Sequence, residues 1–304
     1  MEIGVASASC GDSVFRQAGR DGMQPDADRF HGGEGELSVT YKPLKGQVAF
    51  VTGAGRGLGR GGAVMLGRYG AHVAMVSRTV SELEETERMV QAEGAQTLVL
   101  PVDLTDTAAL TDALQRTERE LGPITSLVNN AAVLDLVPFE ETTPEIWEQA
   151  FAVNLHAAYH AIRHVYPEML RRGSGSIHNV SSAAGFRGFA RETAYCATKF
   201  ALEGFSKSLA MEAAPRGVVV ALSSPGIRTK PTSVTIEDLS SLPEAQVRQW
   251  ADPLVMGEAF AYLAWMSDPE LAGRVYDLYR VSELVREAGS LDLEVSAVFA
   301  CSRE

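Results

Sequence analysis

Tyr195 and Lys199 lie four residues apart, and on a helix that spacing puts both side chains on one face. A phenol with a pKa near 10 is a poor proton donor or acceptor at neutral pH. A neighbouring ammonium favours the phenolate. At ~4 Å and an effective dielectric of ~20 the attraction is ~4 kcal/mol, roughly three pKa units before desolvation. Tyr195 would then give a proton to a carbonyl oxygen, or take one from an alcohol, near pH 7. Ser182, 13 residues upstream at the end of the apolar run Ser176–Ser181, would hydrogen-bond the same oxygen and steady its developing charge. Each feature alone has a bland reading. A Tyr–Lys pair is ordinarily surface decoration, and a Ser after a strand is ordinarily a turn or a cap.

A second constellation could hold an anionic ligand. Thr52-Gly53-Ala54-Gly55-Arg56-Gly57-Leu58-Gly59 follows the short β-branched run Val48–Thr52 and opens a helical stretch near Leu58–Tyr69. Glycine permits the tight turn and the close approach of backbone to ligand. The helix start offers free N–H groups and the positive end of a dipole. A strand–turn–helix context of this kind implies a dinucleotide. Where an NAD site would carry a carboxylate at the end of its second strand, this chain has Ser77-Arg78. Arg78, with Arg56 inside the turn, can pair with a 2′-phosphate, so NADP(H) is the expected cofactor and should bind at least tenfold tighter than NADH.

The elements that must position these residues alternate along the chain. Strands are predicted at Val48–Thr52, His72–Ser77, Thr97–Val102, Ile124–Asn129, Ser176–Ser181 and Val218–Ser223. Helices are predicted near Leu58–Tyr69, at Ser81–Glu93, Asp106–Leu121, Pro144–Met169 and Thr193–Ala213. Such alternation implies an α/β fold, a parallel sheet covered by helices on both faces. Residues 1–44 have no sustained periodicity and read as a flexible N-terminal extension. The catalytic domain is expected over 45–280 and an atypical tail over 281–304.

The glycine spacing, Thr-Gly-x-x-x-Gly-x-Gly, resembles that of the short-chain dehydrogenase/reductase family. Further motifs in order strengthen the resemblance: Asn129-Asn130-Ala131-Ala132 after strand four, Asn154 in Val153-Asn154-Leu155, Ser182, Tyr195-Cys196-Ala197-Thr198-Lys199, and Pro225-Gly226 after strand six. It spans about Leu44 to Gly226. It implies a single doubly wound Rossmann-type domain with about seven strands, and catalysis by Asn154, Ser182, Tyr195 and Lys199. It further implies that Asn154 holds a water linking Lys199 to solvent, while Lys199 bonds the nicotinamide ribose. Cofactor contacts are expected from Gly53, Gly55, Arg56, Gly57, Leu58, Gly59, Ser77, Arg78, Asp103, Leu104, Asn130, Ala131, Tyr195, Lys199, Pro225, Gly226 and Ile227. Asp103 would bond the adenine amino group; its alternative role is to cap the next helix.

The expected function is an NADP(H)-dependent oxidoreductase interconverting a carbonyl and a secondary alcohol by hydride transfer. Reduction of a 3-oxoacyl chain on a carrier protein is the alternative, and a cofactor-binding scaffold or redox sensor is the non-enzyme reading. The chain departs from the family pattern in three places. Ala132 replaces a glycine, Pro225–Thr229 is one residue short, and Gly273–Tyr279 stands where a Val-Asp-Gly-Gly ending is usual. Lys230 to Trp250, where a substrate lid is expected, is polar and names no substrate. Arg187, Arg191 and Arg228 are candidates for an anionic substrate, and Arg163, Arg171 and Arg172 for an acidic carrier.

Composition removes other classes. The 304 residues are 45% hydrophobic and 22% charged, and 27 basic against 39 acidic side chains give a formal charge of −12. That balance argues against nucleic acid and anionic membrane as partners. No apolar run is long enough to span a bilayer, and the opening residues lack a signal-peptide pattern. Cys10, Cys196 and Cys301 suit neither a metal site nor a disulfide framework, so a reducing cytoplasm is expected. His156, His160 and His164 at i, i+4, i+8 look like a ligand stripe, but without matching carboxylates or cysteines no metal is expected. A homo-oligomer, dimer or tetramer, is the expected assembly.

Overall fold

The computed structural model describes residues 41–225 and 256–303. The expectations for residues 1–40, Gly226, Ile227, Arg228, Thr229 and the Lys230–Trp250 loop fall outside the described residues.

β1 (Val48–Thr52) is buried at all five positions, which is why its sequence is a continuous apolar run rather than an alternating one. It pairs in parallel with β2 (His72–Ser77) on one side and β4 (Ser126–Asn129) on the other. β3 (Thr97–Pro101) pairs with β2. Beyond β4 follow β5 (Gly175–Val180), β6 (Val218–Ser224) and β7 (Val275–Asp277), all parallel. A short β8 (Ser302–Arg303) closes this edge antiparallel, so the order among the described residues is 3-2-1-4-5-6-7-8. The expected parallel sheet of about seven strands is present; the eighth strand was not anticipated.

Helices cover both faces. α1 (Gly57–Arg68) packs with α2 (Val80–Ala92), and with α7 (Gly257–Trp265), which in turn packs on α8 (Leu278–Ala288). Ala63, Leu66, Leu83, Phe260 and Val281 fill that core. The opposite face carries α3 (Thr107–Glu120), α4 (Pro144–Phe151), α5 (Ala157–Arg172) and α6 (Thr193–Ala213). There Leu110, Leu114, Ile162, Val165 and Ala210 are buried. None of the described helices is long and apolar enough to cross a membrane.

Two local features differ from expectation. The predicted helix over Pro144–Met169 is interrupted by a π turn at Ala152–His156, between α4 and α5. The cause is Asn154, whose side chain grips the Val133 peptide from both sides, accepting from its N–H (2.8 Å) and donating to its C=O (3.0 Å). Such wide turns commonly mark functional sites. At the far end, Asp277 caps α8 by accepting from the N–H groups of Tyr279 and Arg280, so the chain turns into a helix directly after β7. A last short helix, α9 (Val295–Phe299), leads into β8.

Candidate active site

The glycine turn is shaped by contacts only glycine permits. Gly53 and Gly57 have φ of +67° and +56°, the left-handed region that suits glycine. A Cβ on Gly59 would lie 2.2 Å from the Gly53 oxygen and 2.5 Å from Asn130 Nδ2, so the helix start sits directly on the turn. Asn130 braces the same backbone, donating to the Thr52 oxygen (3.0 Å), and its own N–H donates to Thr52 Oγ1. Ala131 N–H shares that hydroxyl. Arg60 Nε and Thr86 Oγ1, which no motif singled out, bind the Gly55 and Ala54 oxygens. α1 begins with Arg56 at its N-cap in an extended conformation, with no side-chain cap and no acid in the first turn. Its first N–H groups therefore remain for an anion.

Beside the turn, Ser77 Oγ is buried and finds no hydrogen-bond partner among the described residues. An orphaned hydroxyl facing a glycine cradle fits a polar ligand such as a nucleotide. Arg78 is exposed. Arg56 meets Glu82 at 3.6 Å, with both side chains substantially open to solvent, so this pair contributes little. Glu82 was not legible as a neighbour of the turn; α2 brings it there. Asp103 accepts from the N–H (2.9 Å) and hydroxyl (2.8 Å) of Thr105, bonds that hold its carboxyl below the usual range. The helix-capping alternative for Asp103 does not hold, because Asp106 caps α3 through Ala108 and Ala109. Leu104 lies buried next to Asp103.

The four candidate catalytic residues converge. Tyr195 and Lys199 sit on α6, Ser182 at the end of β5, and Asn154 in the π turn. The Ser182 hydroxyl lies near enough to Tyr195 to favour its phenolate. Ser182 Oγ also accepts from Ala184 N–H (3.2 Å), which fixes the one-turn helix Ala183–Gly185. Its neighbour Ser181 turns the other way and donates to Glu203 Oε1 (2.8 Å), so Ser182 alone of the two faces Tyr195. Asn154 Nδ2 reaches Thr198 Oγ1 (3.1 Å), and a cavity of about 10 Å³ lies among Thr52, Asn129, Ala131, Asn154 and Lys199. It has room for about one water.

The electrostatics differ from the sequence expectation. Lys199 Nζ donates to the Val180 oxygen (2.8 Å) and lies 5.5 Å from the centroid of the Tyr195 ring. Burial dominates both groups. It pushes Tyr195 up to about 12, against the opposing Ser182 hydrogen bond. It pulls Lys199 down to about 8, against the attraction of Glu203. The phenol therefore holds its proton near pH 7, as an acid delivering a proton to a carbonyl oxygen must.

The remaining candidates have local partners. Arg187 stacks on Phe189 (4.6 Å), and Arg191 donates to the Leu136 oxygen (2.8 Å). Arg171 pairs with Glu168, Arg172 donates to the Ile124 oxygen, and Arg163 donates to the Tyr159 hydroxyl. The histidine stripe is divided: His156 contacts Phe151, His160 contacts Tyr159, and His164 bonds Glu118 (3.1 Å). No group of three ligating side chains occurs among the described residues. Cys196 is buried, its thiol near the Arg187 oxygen.

Comparison with known proteins agrees with this geometry. The family model described as short chain dehydrogenase matches residues 47–239. L-xylulose reductase of Mesocricetus auratus is 40% identical over 185 residues, 60% of this chain and 72% of that protein. D-erythrulose reductase of Gallus gallus is 38% identical over 211 residues, 69% and 77% of the two chains. A metagenomic short-chain oxidoreductase solved in complex with NADP superposes with a TM-score of 0.65 at 32% identity, covering 76% of this chain and 95% of that one. The chain belongs to the short-chain dehydrogenase family, as an oxidoreductase that interconverts carbonyls and alcohols with a nicotinamide cofactor.

Proposed function

We propose that the chain is an NADP(H)-preferring carbonyl reductase in which Tyr195 is the general acid for reduction and the general base for the reverse reaction. The observation that carries this is the placement of Tyr195 and the buried Lys199 one helical turn apart on α6, with the ammonium 5.5 Å from the centroid of the phenol ring and Ser182 beside it. When bound, the cofactor supplies or accepts the hydride. Gly53, Gly55, Gly57, Leu58 and Gly59 would hold its phosphates and Asp103 its adenine. Arg56 and Arg78 would hold a 2′-phosphate that a carboxylate at Ser77 would repel. Ser182 donates to the substrate oxygen and Tyr195 delivers the proton to it. Lys199, an ammonium below about pH 8, favours the phenolate left on Tyr195 when its proton leaves. Asn154, beside the one-water cavity, would connect Lys199 to solvent.

The relatives that reduce L-xylulose and D-erythrulose support ketoses as the first substrates to try. Tyr159, Phe200 and Met211 are exposed on α5 and α6, and this apolar face is the one we assign to self-association. The test is NADPH oxidation with ketoses, cyclic ketones, quinones, aldehydes and β-ketoacyl thioesters, with Tyr195→Phe alongside. The variant should lose turnover by ~10²–10⁴-fold while keeping its NADPH affinity. Turnover unchanged in Tyr195→Phe, or equal affinity for NADPH and NADH, would refute the corresponding part of the assignment.

A further inference from the structure

Ser182 can meet Tyr195 and a substrate oxygen together only if the turn that carries it, Ser181–Phe186, is held still. One end of that turn meets Glu203 and the other meets Arg303, and these two side chains pair with each other. Glu203, one turn beyond Lys199 on α6, is buried and accepts from Ser181 Oγ (2.8 Å). The same oxygen, Oε1, is paired with Arg303 Nη2 at 2.5 Å. At the other end of the turn, the Arg303 guanidinium lies 3.9 Å from the centroid of the Phe186 ring, in cation–π contact. The turn is pressed against Glu203: a Cβ on Gly185 would fall 2.3 Å from Oε1 and 2.6 Å from Ser181 Oγ. Arg303 is itself held by the antiparallel β7–β8 pairing, where it stands opposite Val275.

We propose that Arg303 is a positioning residue for the catalytic turn, clamping it through Glu203 and Ser181 on one side of Ser182 and through Phe186 on the other. Residues of the atypical 281–304 segment thereby complete the support of the active site from behind. The clamp keeps Ser182 Oγ on the Tyr195 hydroxyl without touching substrate or cofactor. Arginine suits this place because one planar group can pair with a carboxylate at its edge and stack on a ring with its face. Errors of about 1 Å in such a site cost up to ~10²-fold in rate, so a partly loosened turn should cost about tenfold. The inference rests on the assignment of Ser182 and Tyr195 made above.

The test compares wild type, Arg303→Gln, Arg303→Lys and Phe186→Leu in the full chain, using the best carbonyl of the panel at saturating NADPH. Amide hydrogen exchange is measured on the same proteins. Arg303→Gln should lower kcat about tenfold and leave KM and the NADPH dissociation constant within about twofold. It should also speed exchange of the amides of Ala184 to Phe186 while those of β1 and α1 stay as in wild type. Arg303→Lys keeps the ion pair but loses the flat stack, and Phe186→Leu loses the ring; both should fall between. An unchanged kcat with unchanged exchange at residues 181–191 overturns the clamp. So does a loss in which NADPH affinity falls and exchange rises throughout the fold, which would mark Arg303 as merely stabilising. If wild type turns over nothing in the panel, the activity assignment fails, and the exchange pattern alone decides the clamp.

Discussion

Lys199→Met should reveal how strongly the fold strains its catalytic lysine. The ammonium is 2% exposed and donates to the Val180 oxygen, and burial lowers its pKa from 10.5 to about 8. Between those values the unfolded chain binds more protons than the folded one, so stability rises with pH across the interval. The full shift corresponds to roughly 3 kcal/mol, of which roughly 2–3 kcal/mol is regained between pH 7 and pH 10. Methionine has similar length and no charge, so the variant has no such slope. Urea unfolding of both proteins at pH 7, 8, 9 and 10 gives the difference directly. Groups that titrate alike in the two proteins cancel. The range stops at pH 10, because Tyr195, held up to about 12 in the fold, would ionise first in the unfolded chain and reverse the trend. The wild type should gain on the variant steadily, most steeply above pH 8. A difference that stays flat, or that moves towards the variant, would show that the lysine is not buried as a strained cation.

Two further substitutions probe the cofactor cradle. Gly59→Ala places a methyl 2.2 Å from the Gly53 oxygen and 2.5 Å from Asn130 Nδ2. It should cost about 1–3 kcal/mol in urea unfolding and weaken NADPH binding, whereas near-wild-type behaviour in both would mean that the turn is not packed as described. Arg78→Glu alters an exposed side chain, so stability should stay within about 0.5 kcal/mol. The NADPH-over-NADH preference, read by fluorescence titration, should fall at least tenfold through repulsion of the 2′-phosphate; an unaltered preference would remove Arg78 from that role.

What was legible in the sequence was local in its cause. The β1–turn–α1 unit announces itself because a buried strand, left-handed glycines and a bare helix start are all written within about twenty consecutive residues. α6 runs over Thr193–Ala213 as expected, and its i, i+4 spacing does place Tyr195 and Lys199 together. What was not legible depends on pairs distant in sequence. The π turn exists because Asn154 bonds a peptide 21 residues away. The lysine is lowered because the fold buries it, and its ammonium turns to the Val180 oxygen, 19 residues back. Spacing along one helix says that two side chains share a face, but it does not say which third group claims the charge.

The same distinction bears on Tyr195, where the spacing carries the attraction of Lys199 and burial carries the opposing desolvation. In the folded chain desolvation is the largest influence on both groups. A buried phenol held up to about 12 keeps its proton near pH 7, the form that gives a proton to a carbonyl oxygen. Alcohol oxidation needs the phenolate, and positive charge near the ring must rise before it forms. Glu203 favours the Lys199 ammonium, and Arg303 pairs with the same carboxylate. The buried carboxylate one turn from Lys199 is therefore tolerable in this site because a residue 100 positions away supplies its counter-charge.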